Sequence, residues 1–344
     1  MNAARPRPPA VVAVTMGEPA GIGVEIAAKA WRARVEERLP PFFLIAAPDI
    51  AARAAAAAGI ETEVVADPES AAAVFSSSLP VLPVALAAPV TPGAPDPVNA
   101  PAILEAIDIG VEFAISGRTA GIVTGPIHKE TLYAAGFGYP GLTEYLAHLA
   151  GEAATPVMML VCAGLRVVPV TVHLGLKAAI AELTAERIVS HGLIVDAALR
   201  TDFGIAAPRI AVAALNPHGG EGGALGDEES SIIAPAVATL RARGINVFGP
   251  ESADTLFHET ARAAYDAVLC MYHDQALIPI KTVDFWRGVN ITLGLPFVRT
   301  SPDHGTALDI AGTGTARADS LISALIMADC IARRRLAAAV PAAD

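Results

Sequence analysis

At 344 residues, with 53% apolar and 17% charged positions, the chain is long enough for about two domains and too apolar to stay disordered. A formal net charge of -11, with no basic run other than Arg333–Arg335, excludes a nucleic-acid surface, and no unbroken apolar stretch reaches the ~18 residues of a membrane span. Three scattered cysteines (Cys162, Cys270, Cys330) exclude a disulfide framework, and the first ten residues lack an apolar signal core, so they read as a short disordered tail on a cytoplasmic protein.

Along the chain, 10–15 (AVVAVT) reads as a buried strand, followed by a glycine-rich turn over 17–23 and a helix from about Val24 to Arg34. Residues 42–47 (FFLIAA) predict a second strand, and Pro48 to Ala58 a helix. The apolar stretch Leu79 to Val90 reads as a loop, because Pro80, Pro83 and Pro89 interrupt it. Residues 120–124 predict a strand running into Gly125-Pro126, with Pro126 placed to open a helix. Met158 to Cys162 and Leu165 to Val172 read as paired strands, and Ala178 to Val195 as one helix. A strand over Ile210 to Leu215, a helix over Ser230 to Arg243, a strand over Ala267 to Tyr272 and a helix over Ser320 to Leu336 complete the pattern. Alternating strands and helices predict an α/β fold with a largely parallel sheet.

In such sheets the chemistry gathers at the carboxyl ends of strands. His173, His218 and His273 each follow an apolar run of this kind. Three imidazoles with an open fourth position suit a catalytic divalent ion. A single strand-end histidine is ordinarily a hydrogen-bonded loop residue, so both readings stand at this point. Cys270, three residues before His273 on an extended strand, points away from it and reads as a small buried hydrophobe. Asp274 either orients an imidazole or caps the next segment. Lys281, Asn290 and Arg299 form a second set, suited to phosphate or carboxylate and flanked by apolar residues. GEPAGIG lacks the dinucleotide fingerprint, although its glycines could let backbone amides approach an anion. DHGTALDIAGTG, residues 303–314, offers a His-Gly pair and Asp309 as an acceptor for a ribose hydroxyl.

Taken together, VTMGEPAGIGVEIAAKA, TGPIHK, LNPHGGEGGALGDEE, GPESADTLF, MYHDQALIPIK and GVNITLGLPFVRTSPDHGTALDIAG resemble the 4-hydroxythreonine-4-phosphate dehydrogenase family, from about Val11 to Leu325. The resemblance implies NAD-dependent oxidation of 4-phosphohydroxy-L-threonine in pyridoxal phosphate biosynthesis, the 3-oxo product decarboxylating to 3-amino-2-oxopropyl phosphate. It implies the two-domain isocitrate/isopropylmalate dehydrogenase-like fold with an active-site cleft between domains: 1–130 plus 295–344 on the cofactor side, and 131–294 for metal, substrate and dimerisation. It further implies a homodimer with its site at the subunit interface. By motif match, His173, His218 and His273 would hold the metal (zinc first, with magnesium or cobalt as alternatives). Thr143, Lys281, Asn290 and Arg299 would contact substrate, with Lys281 also a candidate for proton transfer. His304, Gly305 and Asp309 would lie near the cofactor, NAD in preference to NADP.

One position departs from the family. Its Gly-His-Thr-Glu motif here reads Gly141-Leu142-Thr143-Glu144. Leucine neither donates a hydrogen bond nor carries charge. A branch acting on cis-dihydrodiol dicarboxylates also lacks that histidine and is similar in its Gly-Tyr-Pro, here Gly138-Tyr139-Pro140. That dehydrogenase is one alternative, and a catalytically weak ligand-binding homologue is another.

Overall fold

The computed structural model describes residues 11–151 and 154–339; the tail expected at the N-terminus lies outside them. The chain opens with β1 (Val12–Thr15), α1 (Gly23–Arg32), β2 (Phe42–Ala46), α2 (Pro48–Ala58), β3 (Thr62–Val64), α3 (Pro68–Val74) and β4 (Leu79–Pro83). α4 (Ala100–Ile115), β5 (Ile122–Thr124), α5 (Lys129–Ala134) and α6 (Leu142–Ala150) follow. Next come β6 (Val157–Cys162), β7 (Leu165–Pro169), α7 (Leu176–Ala181), α8 (Ala185–Thr201), β8 (Ile210–Ala213), α9 (Ala234–Ala242) and β9 (Val247–Glu251). The order continues through α10 (Ala253–Leu256), α11 (Glu259–Arg262), β10 (Ala267–Cys270), α12 (His273–Val283), β11 (Val289–Leu293), β12 (Arg299–Pro302) and α13 (Asp319–Ala339).

These elements form two compact units, 1–156 with 295–344, and 157–294. In unit 1 the strands run in the order β3-β4-β2-β1-β5-β12, and every pairing is parallel. Helices cover a parallel sheet on both faces, so its central strands run apolar; in β2, Phe42, Phe43, Leu44 and Ile45 are fully buried, while the edge strand β3 is largely exposed. In unit 2 the order is β11-β6-β7-β10-β8-β9. β7, β10, β8 and β9 are parallel, β6 pairs antiparallel with β7, and β11 pairs antiparallel with β6. Cys270 belongs to the unit 2 core, and burial pushes its thiol pKa up.

Four sequence readings need correction. Leu79–Pro83 is a strand, because the groups that proline leaves intact carry the ladder: Leu79 donates to Glu61 O and Val81 O accepts from Val65, each at 2.9 Å. Pro126 opens no helix; its carbonyl accepts from Glu18 N–H at 2.8 Å, and α5 starts only at Lys129. The helix expected over 178–195 is two, because Thr184 caps α8 by accepting from Arg187 N–H at 3.2 Å. The chain leaves unit 1 after 156 rather than after 130, because α6 packs on α4, where the Tyr145 hydroxyl donates to Asp108.

Candidate active site

β7, β10 and β8 lie side by side and parallel, so their carboxyl ends share one edge of unit 2. All three candidate metal histidines leave the sheet there. His173 follows β7, His273 is the first residue of α12 directly after β10, and His218 follows β8. The His173 and His273 rings stand 6.0 Å apart between centroids. They border a recess of about 220 Å³ with Leu174, Leu176, Tyr272 and Asp274. Asp274 accepts at 2.7 Å from His273 Nδ1, which leaves Nε2 as the ring atom open to a ligand. Among the described residues, no three His, Cys, Asp or Glu side chains converge closely enough to hold a metal ion, so His218 does not join the pair within one chain.

The backbone around these histidines is strained. His173 and His218 both adopt positive φ, at 56° and 53°. His218 opens a left-handed run through Gly219, Gly220, Glu221 (φ 44°) and Gly222. Non-glycine residues occupy this region at a cost of order 1–3 kcal/mol and persist where the surroundings impose it. Glu229 anchors the entry to the His218 run: its carboxylate accepts from Leu215 N–H at 2.8 Å, Asn216 N–H at 2.7 Å and the Asn216 side chain at 2.9 Å. Burial opposes its ionisation, yet these hydrogen bonds hold its carboxyl below the usual glutamate range. Sequence reading missed Glu229; its only local signal is the acidic GDEE run.

The substrate candidates divide between the units. In unit 2, Lys281 lies on α12 with its ammonium 5.4 Å from the centre of the Phe285 ring. Asn290, on β11, has a buried Oδ1 that finds no hydrogen-bond partner among the described residues. In unit 1, Arg299 is 5% exposed and donates to Thr124 Oγ1 from Nε at 3.2 Å and from one terminal nitrogen at 2.7 Å. Burial lowers its pKa to about 10, so it remains a cation at neutral pH. Leu142 and Thr143 are half-buried at the first turn of α6. His304 is half-buried with Nδ1 3.0 Å from Gly305 O, Gly305 is exposed, and Asp309 is exposed on a single 3₁₀ turn.

The glycines of the 17–23 turn serve chain packing. A Cβ on Gly23 would stand 2.1 Å from Met16 O, and one on Gly17 2.4 Å from Pro126 O. Glu18 is sealed inside this junction at 1% exposure; its Oε1 accepts from Ala20 N–H at 3.1 Å while Oε2 has no hydrogen-bond partner among the described residues. Burial raises its pKa above the usual glutamate range, and this outweighs the opposing pull of the Ala20 amide and of His128. With the folded-state value raised, the neutral acid stabilises the fold fully below the unfolded-state value. That contribution is lost as pH rises through the folded-state value. Glu18→Gln keeps the acceptor and removes the charge. The variant is therefore expected to melt higher than wild type at pH 8, by about 2–4 °C per kcal/mol recovered, with a smaller gain at pH 4. Thermal unfolding at the two pH values checks this, and an equal gain at both would contradict a buried ionisable Glu18.

Comparison with known proteins adds to this geometry. The model of the family described as pyridoxal phosphate biosynthetic protein PdxA matches residues 38–328. A 4-hydroxythreonine-4-phosphate dehydrogenase of Caulobacter vibrioides is 56% identical over 329 residues, covering 94% of this chain and 98% of its own. The solved structure of the Klebsiella pneumoniae 4-hydroxythreonine-4-phosphate dehydrogenase superposes with a TM-score of 0.83 at 40% identity, over 94% of this chain and 99% of that one. A terephthalate 1,2-cis-dihydrodiol dehydrogenase from Burkholderia xenovorans is more distant, with a TM-score of 0.62 at 30% identity over 93% of this chain and 97% of that one.

Proposed function

The chain belongs to the PdxA family of pyridoxal phosphate biosynthetic proteins, and from that premise we propose that it oxidises 4-phosphohydroxy-L-threonine with NAD at a divalent-metal site. Bound NAD would supply the acceptor for the carbon-bound hydrogen of the secondary alcohol, taken as hydride, while the hydroxyl hydrogen would leave as a proton. The resulting 3-oxo acid then releases carbon dioxide to leave 3-amino-2-oxopropyl phosphate. The dihydrodiol alternative is the weaker reading, because the dihydrodiol dehydrogenase agrees less well with this chain in both sequence and structure.

The observation that carries the metal assignment is the His173–His273 pair at one sheet edge, with Asp274 fixing one ring. Neutral imidazoles suit zinc better than magnesium, which prefers oxygen ligands. A bound divalent ion supplies Lewis acidity toward the substrate hydroxyl and the ketone that follows. Asp274 holds the His273 tautomer. The buried Asn290 Oδ1 accepts from a substrate N–H or O–H, which satisfies an otherwise orphaned atom. Lys281 holds an anionic group and serves as the candidate for proton transfer. Thr143 and Arg299 enter as substrate contacts by motif match.

His218 completes the triad from a second copy of the chain, in a cytoplasmic homodimer. Leu174, Leu176, Ile278, Phe285 and Trp286 are all exposed on unit 2, as an apolar self-association surface requires. NADH formation with 4-phosphohydroxy-L-threonine, abolished by a chelator and restored by zinc, is the expected result. Undiminished turnover after chelation would overturn the metal, and turnover with only a dicarboxylate diol would overturn the substrate.

Asp309 sets the cofactor preference. An exposed carboxylate accepts from a ribose 2′-hydroxyl and repels a 2′-phosphate, so kcat/KM should favour NAD over NADP, and Asp309→Asn should narrow the ratio. A wild-type ratio near one would remove Asp309 from the cofactor site.

A further inference from the structure

Unit 1 contains a recess of about 410 Å³, none of whose lining residues has a role in the chemistry above. Its size falls in the usual range for a small-molecule site. α1 lines one side with Val24, Glu25, Lys29 and Arg32, and α2 the other with Ile50, Arg53 and Ala54. Gly312 and Gly314 close one end. The wall is largely aliphatic and the charges at its border are unequal. Glu25 and Lys29 cancel, paired at 2.8 Å. Arg32 makes no ion pair among the described residues, and Arg53 reaches only the Val90 carbonyl, at 3.4 and 3.5 Å. Two guanidinium groups thus flank an apolar slot in a chain of net charge -11.

We infer that this slot binds a heteroaromatic monophosphate, with the ring between α1 and α2 and the phosphate on Arg32 and Arg53. Guanidinium groups match phosphate through paired N–H donors, and aliphatic walls suit a flat ring. Lys29 makes the site more than a surface groove. Its ammonium donates to Gly314 O at 2.8 Å and Ala316 O at 2.6 Å, and Glu25 Oε2 accepts from Gly312 N–H at 3.3 Å. The wall of the slot is therefore also the anchor of the 312–316 segment. The ligand chemistry has two sources: the adenosine-phosphate half of a nicotinamide cofactor, or a free heteroaromatic phosphate such as pyridoxal phosphate. Only the first rests on the cofactor reading proposed above.

The test is calorimetric titration of the full chain with AMP and with pyridoxal phosphate, and with adenosine and pyridoxal as controls lacking phosphate. The binding titration involves no turnover, so whether the site exists is tested independently of the proposed reaction. Saturable binding of at least one phosphate is expected, weakened about tenfold or more in the doubly substituted Arg32→Ala, Arg53→Ala chain and in the controls. Circular dichroism confirms that this variant is folded, and its NADH formation with NAD separates the sources. If the slot seats the cofactor, NAD displaces the probe and the variant's KM for NAD rises by a similar factor. If it seats a free phosphate, the probe stays bound under saturating NAD and basal turnover is unchanged. Absence of saturable binding at millimolar probe, or equal affinity in the folded double variant, overturns the site.

Discussion

Neither His173→Ala nor His218→Ala is expected to form NADH alone, yet mixing the two inactive proteins under conditions of subunit exchange should restore about a quarter of wild-type activity. The reasoning starts from the sheet edge. His173 and His273 lie 6.0 Å apart, whereas no third ligand residue converges on them among the described residues. A site completed by His218 from a second copy places the two substitutions in different halves of each site. Random exchange makes about half of the dimers mixed, and each mixed dimer has one site free of both substitutions, hence about a quarter of all sites. If all three ligands came from one chain, every site would carry a substitution and mixing would restore nothing. Bound zinc should follow the same pattern, lost in each parent and partly regained in the mixture. Thermal unfolding guards against a trivial loss: both histidines are exposed, so each variant should stay folded. Activity without bound metal in His173→Ala would refute the ligand assignment itself.

How far sequence reading reaches is visible at this same edge. The strands leading to the histidines are legible because burial on both faces demands apolar runs; β8 and β10 are unbroken ones, and β7 is interrupted only by the half-buried Arg166. That the three strands are neighbours is a fact of topology, which strand-end position suggests but spacing does not prove. The His218 loop is illegible locally. Its left-handed course includes His218 and Glu221, residues that do not announce positive φ, and it is held by Glu229, which only folding brings to Leu215 and Asn216. Proline misled in both directions. At 80 and 83 it masked β4, where the ladder uses other groups, and at 126 it suggested a helix where its carbonyl is already engaged by Glu18. The glycines of 17–23 look like an anion cradle in sequence. In three dimensions their missing side chains let Met16 and Pro126 approach.

Leu142→His should raise kcat/KM for 4-phosphohydroxy-L-threonine by about one to two orders of magnitude. Leu142 is the first residue of α6, preceded by Gly141 in extended conformation (φ -172°). It is half-buried, and its neighbours are built for polar work. The point where a Cβ on Gly141 would stand is 3.0 Å from Glu144 Oε2 and 3.6 Å from Lys129 Nζ. An alkyl group at the head of this helix leaves whatever faces it without a hydrogen bond. A hydrogen bond to a charged group is worth roughly 1.5–3 kcal/mol. At ~1.4 kcal/mol per factor of ten, its loss costs about 10- to 150-fold. Wild type should therefore be slow but active, because the candidate metal pair, Lys281, Asn290 and Arg299 are all present. Helix position favours the substitution: a first-turn residue needs no intrahelical partner for its N–H, so imidazole enters without disturbing α6. Where in the kinetics the gain falls is itself informative. A gain in kcat with KM unchanged assigns the imidazole to the transition state, and a fall in KM alone assigns it to ground-state binding. The rival account makes Leu142 part of a pocket reshaped for a less polar substrate. Under it, an imidazole meets no matching group, and Leu142→His leaves kcat/KM for the phosphorylated substrate unchanged or lower. That result, together with faster wild-type turnover of a dicarboxylate diol, would reassign the substrate while leaving the fold and the histidine pair as they are.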